Sequence, residues 1–265
     1  MNYYDDENLI IRSFQLYHGP ILFFPHVSTI MRHVFDAVYE GSKWEKWTDN
    51  SGKGDAPPDF FSNELQLMME VMRVDDHAFI SGKGRRVNPT NEKESKLQKK
   101  IRSLILKGHP YSDLSEFPIR ITTVSGLPSK QDHNYEFYYN NFKYTLEKHI
   151  QKIESYRNNH PDKDLIFFVF DESTAYIQAP DEDTAGRDLQ PFEYFEGSPL
   201  WHFLDKRFVD VFKDCNIDYL IWFTPNKYFH GSSYQNPGIC VFNLKNFDES
   251  LLENYPMSLI ISSEA

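Results

Sequence analysis

Four short apolar runs constrain this chain more than any other feature: LQLMMEVMRV (65–74), LIFFVF (165–170), YLIWFT (219–224) and ICVFNL (239–244). In the first, Leu65, Leu67, Met69 and Val71 lie on one side of an extended chain. Gln66, Met68, Glu70 and Met72 lie on the other. A strand apolar on both faces is a central one, covered above and below. A helix over the same residues would be hydrophobic nearly all round, so the strand reading is preferred.

Helical patterns separate these runs. Ser28 and Thr29 offer N-caps to a helix over 28–40 that carries Met31, Val34, Phe35, Val38 and Tyr39 at helical spacing, with Gly41 as its stop. A second helix spans 140–156 with Phe142, Leu146, Ile150 and Ile153 on one face. A third opens at Ser198-Pro199, an N-cap followed by proline at the first helical position. Its face is Leu200, Phe203, Leu204, Phe208, Val211 and Phe212. PILFFP (20–25) is a short strand or a buried lead-in. Residues 77–135 read as an insertion: a GKGRR turn, a lysine-rich helix over about 91–106 and a strand-like IRITTV stretch. Alternating helices and strands imply an α/β fold, a mixed central sheet flanked by helices. With no internal repeat or low-complexity linker, one domain over 1–265 with an insertion at about 77–135 is the simplest organisation.

Composition bounds the function. Hydrophobic residues make up 40% and aromatics 16%, too much apolar bulk for a disordered chain. Two cysteines, Cys215 and Cys240, cannot build a disulfide framework or a cysteine zinc site. The opening MNYYDDENL lacks the basic and apolar segments of a signal peptide, and the longest apolar run, Leu165 to Phe170, cannot span a membrane. A cytoplasmic protein with no membrane partner is expected.

The net charge of −11 argues against general polyanion binding, yet it is unevenly spread. Residues 83–107 hold nine basic residues against Glu92 and Glu94, a net of +7 that leaves −18 on the rest. Lys83, Arg85, Arg86, Lys96, Lys99 and Lys100 are the candidate contacts to a nucleic-acid backbone. A solvated helix face explains the same composition equally well.

The sharpest constellation is Pro58-Asp59 followed by Glu70 on the first apolar strand. Two carboxylates on adjacent strand ends suit Mg²⁺ or Mn²⁺, hard cations that prefer oxygen ligands. A helix, Pro-Asp, a strand with Glu70, a helix and a strand then follow in order. This resembles the core of the PD-(D/E)xK nuclease superfamily, whose signature is Pro-Asp, a gap, then (Asp/Glu)-x-Lys. The resemblance covers roughly residues 28–171 with the insertion excluded. It implies a restriction-endonuclease-like core, with Asp59 and Glu70 as catalytic metal ligands in phosphodiester hydrolysis. The position two after Glu70 is Met72, however, where the signature has lysine. Arg73 points to the other face, and Lys148 or Lys152 would serve only if the following helix packs there. Carboxylates on opposite sides of the sheet would abolish the site. So would a plain turn at Pro-Asp, with Glu70 neutralised by an arginine.

Other motifs carry less. LIFFVF ending in Asp171-Glu172 is similar to a Walker B strand. Without a GxxxxGK[ST] loop the two acids read as a solvated strand end or as a supplement to the Asp59/Glu70 site. The ten histidines show no HExxH spacing, and His149 reads as a boundary residue of its helix. No GxSxG elbow occurs. Two functions follow: a Mg²⁺- or Mn²⁺-dependent nuclease, or a non-catalytic interaction protein that keeps a degenerate nuclease-like core. Met72 favours the second.

Overall fold

The computed structural model describes residues 6–51, 58–76, 79–80, 86–87, 96–97, 100, 133–186, 197–225, 227 and 237–263. The helices are α1 (Glu7–Gln15), α2 (Thr29–Tyr39), α3 (Gly41–Trp44), α4 (Tyr135–Ile150), α5 (Ile153–Asn159), α6 (Glu182–Ala185) and α7 (Lys206–Val209). The principal strands are β1 (Ile21–Phe24), β2 (Thr48–Asp49), β3 (Phe60–Ser62), β4 (Leu67–Val74), β7 (Asp164–Asp171), β10 (Tyr219–Phe223) and β11 (Ile239–Asn243). These seven form one mixed sheet in the order β1-β11-β10-β7-β4-β3-β2. β4, β7 and β10 run parallel, while β2, β3 and β4 form an antiparallel meander. Two small pairings complete the strands: β5 (Phe79–Ile80) with β6 (Arg86–Val87), and β8 (Tyr176–Gln178) between β9 (Ser198–Pro199) and β12 (Ile260–Ser262).

The four apolar runs are the four central strands, and the physical reason is the one expected. Each is sandwiched between two hydrophobic layers. Leu67, Met69 and Val71 of β4 join Ile166, Phe168 and Phe170 of β7 under α1 and α2. Met68, Met72 and Val74 join Leu165, Phe167 and Val169 under α4, α5 and α7. Arg73, on the α1/α2 side, pairs with Glu172.

Several helical expectations need correction. α2 ends at Tyr39 as expected, but the break lies at Glu40, whose backbone is extended, and Gly41 opens the single turn α3. The helix expected over 140–156 begins earlier, because Asn134 caps it through the N–H groups of Glu136 and Phe137, and Tyr135 and Tyr138 extend its buried stripe. It also breaks at Gln151-Lys152, so Ile153 belongs to α5. No helix starts at Ser198-Pro199. Those residues pair with Gln178 and Ile177 as β9, and the Leu200 N–H donates to Tyr176 O. The apolar residues behind them reach the core through a 3₁₀ turn (His202–Leu204) and α7, capped by Asp205. The IRITTV stretch lies outside the described residues, as do Lys83, Arg85 and Lys99. Arg86 is in β6, and Lys96 and Lys100 are helical and exposed.

Candidate functional site

The β3–β4 hairpin decides where Asp59 and Glu70 meet. Its loop turns at Gln66, whose φ of 55° is left-handed. Phe61 then sits opposite Met68 and Phe60 opposite Met69. One further step of the same register sets Asp59 opposite Glu70. Directly opposed residues of an antiparallel pair share a face, so the two carboxylates converge instead of straddling the sheet. Hydrogen bonds clasp them: Asp59 N–H donates to Glu70 Oε2 (3.2 Å) and Val71 N–H to Asp59 Oδ2 (2.9 Å).

Helices α4 and α5 roof this pair. His149 Nδ1 lies 2.8 Å from Glu70 Oε1. Glu70 is 4% exposed, and Met72 is 2% exposed within the core layer on the same face. Among the described residues no arginine pairs with Glu70; its side-chain partner there is His149. Tyr156, from α5, buries its hydroxyl near Glu70 without a hydrogen bond of ordinary geometry among the described residues, and burial and the Glu70 charge push its pKa up.

The electrostatics are unbalanced. Burial and the Glu70 charge raise Asp59 to about 7, with Glu7 adding to the effect, while the Val71 N–H and Lys152 oppose it. Among the described residues no three Asp, Glu, His or Cys side chains are grouped as a metal site. Two opposed carboxylates are nonetheless the protein share that Mg²⁺ commonly takes, since it keeps several waters. Asp59 Oδ1 accepts no hydrogen bond among the described residues. The other three oxygens are taken: Glu70 Oε2 by the Asp59 N–H, Asp59 Oδ2 by the Val71 N–H and Glu70 Oε1 by His149.

Asp171 is neither a solvated strand end nor part of this pair. It is fully buried at the opposite end of α4. Tyr138 Oη donates to Asp171 Oδ2 at 2.5 Å and Trp222 Nε1 at 3.0 Å; the Ser173 N–H and hydroxyl donate to Oδ1 at 2.9 and 2.6 Å. Lys227 Nζ stands 3.5 Å away and also donates to Ser173 Oγ and Thr174 O. Burial lowers the Lys227 pKa while Asp171 and Asp76 push it back up. Asp76 is closed in similarly by Thr174 and Tyr176. Glu172 is held by Arg73.

His149 is the site residue that sequence reading passed over. A signal existed: residues 142, 146, 149, 153 and 156 recur on one helical face, and Glu70 is the one charged residue on the strand face beneath. A histidine in that stripe had one ionic partner to find. No family model matches this chain, and no curated protein or solved structure matches it either.

Proposed function

We propose that this protein is a metal-dependent phosphodiesterase of the PD-(D/E)xK nuclease type. Asp59 and Glu70 hold Mg²⁺ or Mn²⁺. The observation that carries the reading is the direct cross-strand opposition of these two carboxylates, with Asp59 raised to about 7 by burial and the Glu70 charge. Chain order adds support: α2, the meander β2-β3-β4 with Asp59 before β3 and Glu70 on β4, then α4 and β7, with β7 parallel to β4. A cation bound there supplies Lewis acidity and offsets charge developing on a phosphate. The protein's own share is to fix both carboxylates by backbone N–H groups and to orient Glu70 against His149. The nucleic acid is approached by the 83–107 segment, through Lys83, Arg85, Arg86, Lys96, Lys99 and Lys100. The free thiols Cys215 and Cys240 accord with a reducing cytoplasm. Among the described residues no helix is long and apolar enough to cross a membrane.

The test is incubation of purified protein with plasmid and with single-stranded DNA or RNA in Mg²⁺ or Mn²⁺. The reading expects cleavage that Asp59→Ala and Glu70→Ala each abolish. Cleavage unaffected by both variants, or none by the wild type, refutes it. Charge reversal at Arg85, Arg86 and Lys99 is expected to remove salt-dependent binding. The second reading, a non-catalytic interaction protein, is favoured by Met72, which is sealed in the core. Nucleic-acid binding without cleavage is its signature.

A further inference from the structure

The strand that brings Asp59 to Glu70 also brings an aromatic ring beside them. We infer that Phe61, His160 and Lys163 form a nucleotide subsite next to the carboxylate pair, stacking an unpaired base and holding its phosphate. This rests on the phosphodiesterase reading and names its substrate: single-stranded nucleic acid.

Three observations carry the inference. First, register fixes the neighbourhood. Residues two apart on a strand share a face at a spacing of about 6.8 Å, so Phe61 follows Asp59 on the side that holds Glu70. Phe61 accordingly packs against the layer of Met68 and Leu165. On α5, Tyr156 and His160 are one helical turn apart, about 6 Å, and the His160 N–H donates to Tyr156 O (3.0 Å). One turn of the helix therefore matches one pleat of the strand, with Tyr156 towards Glu70 and His160 over Phe61.

Second, the two rings are stacked and accessible. Their centroids are 4.4 Å apart at an interplanar angle of 30°, and both residues are half-buried. The stacked pairs Phe142–Trp222 and Tyr138–Tyr176 are instead sealed in the core. Burial and the Lys163 charge lower the His160 pKa, so its ring is neutral at pH 7.5 and stacks as a plain aromatic.

Third, Lys163 is 8% exposed, and its ammonium makes no ion pair or hydrogen bond among the described residues. Its N–H donates to His160 O (3.3 Å), which ties it to the stack. Lys227, the other buried lysine among the described residues, donates to Ser173 and Thr174 beside Asp171. Burying an ammonium is costly unless an anion meets it, and phosphate is the anion that a stacked nucleotide supplies.

The chemistry is recognition, with no bond made or broken. Every base has a π-face, so stacking accepts any unpaired base without reading its identity. A base inside a duplex must first be pulled from its stack, at a cost in free energy.

The test measures anisotropy of a short labelled DNA strand in EDTA, where no metal is present to support cleavage, with melting curves to confirm folding. The wild type is expected to prefer the single strand to its duplex. Phe61→Leu is expected to weaken single-strand binding about 10-fold, and Phe61→Tyr to keep it. His160→Gln is expected to fall between them and serves in place of Phe61→Leu if that variant unfolds. A single abasic position is then scanned along the strand. At one position or more it should weaken binding to the wild type and leave Phe61→Leu unchanged, a dependence that a merely structural ring would not show. Lys163→Met is expected to lower the slope of log Kd against log salt by about 0.7, with Phe61→Leu leaving the slope as it is. Wild-type-like binding by Phe61→Leu and His160→Gln, no preference for the single strand, or an unchanged slope in Lys163→Met overturns the subsite. A wild type that binds strands this way but never cleaves them in Mn²⁺ refutes the phosphodiesterase reading instead. One that cleaves but ignores these substitutions refutes the subsite alone.

Discussion

Two polar clusters lie under the same helix, on the same face of the same sheet, and they are built in opposite ways. At the Tyr138 end of α4, Asp171 has four hydrogen-bond donors and Lys227 beside it. At the His149 end, about 16 Å along the helix by its rise per residue, Asp59 and Glu70 face each other, and among the described residues no Lys or Arg forms an ion pair with either; His149 contacts Glu70. Burying charge is tolerable when partners replace water. Asp171 meets that condition within the chain. The second cluster does not, which is why Asp59 is raised to about 7. The difference separates a carboxylate closed in by donors and a lysine from two carboxylates set against each other, a distinction that counting carboxylates in the sequence cannot make.

The comparison breaks most readily at Lys227. Removing one partner of a buried ion pair leaves the other uncompensated, so Lys227→Met is expected to cost about 3–5 kcal/mol in urea or thermal unfolding. A cost below about 1 kcal/mol would show that the Asp171 network is not closed. The open cluster responds with the opposite sign. An acid whose pKa is raised in the folded state favours folding below its unfolded pKa of 3.8, and that advantage is lost as pH rises through about 7. Asp59→Asn without added metal is therefore expected to stabilise the protein by about 1–3 kcal/mol at pH 8. The gain should shrink towards zero or reverse below about pH 4, as followed by melting across pH. The smallest contrast uses two tyrosines. Tyr138→Phe removes a donor to Asp171 and should cost about 1–2 kcal/mol. Tyr156→Phe removes a hydroxyl without a hydrogen bond of ordinary geometry and should be close to neutral. Equal costs would erase the distinction between the clusters.

Much of the sheet was legible because its central strands are apolar on both faces, a pattern few other structures bury. The carboxylate pair was legible for a related reason. Glu70 is a charge set in an otherwise apolar strand face, and Pro58-Asp59 stands one hairpin away. What could not be read was decided by contacts between segments distant in sequence. Ser198-Pro199 carries a good helix-start signature, but pairing with β8 outweighs it. Asp171 ends an apolar strand as a solvated acid would. Only the arrival of Tyr138, Trp222 and Lys227 from elsewhere closes it in. His149 looked like a boundary residue because its partner lies 79 residues earlier. Met72 shows the limit from the other side: its identity removes the motif lysine, but only the packing of α4 and α5 shows that it is sealed in the core layer.

The central claim is that the Asp59–Glu70 pair is a cation site, and calorimetric titration of Mn²⁺ at pH 7.5 tests it most directly. One site is predicted in the wild type, lost in both Asp59→Asn and Glu70→Gln, with the Asp171 network and the fold unchanged. Binding that persists in both variants, or no binding by the folded wild type, would contradict it.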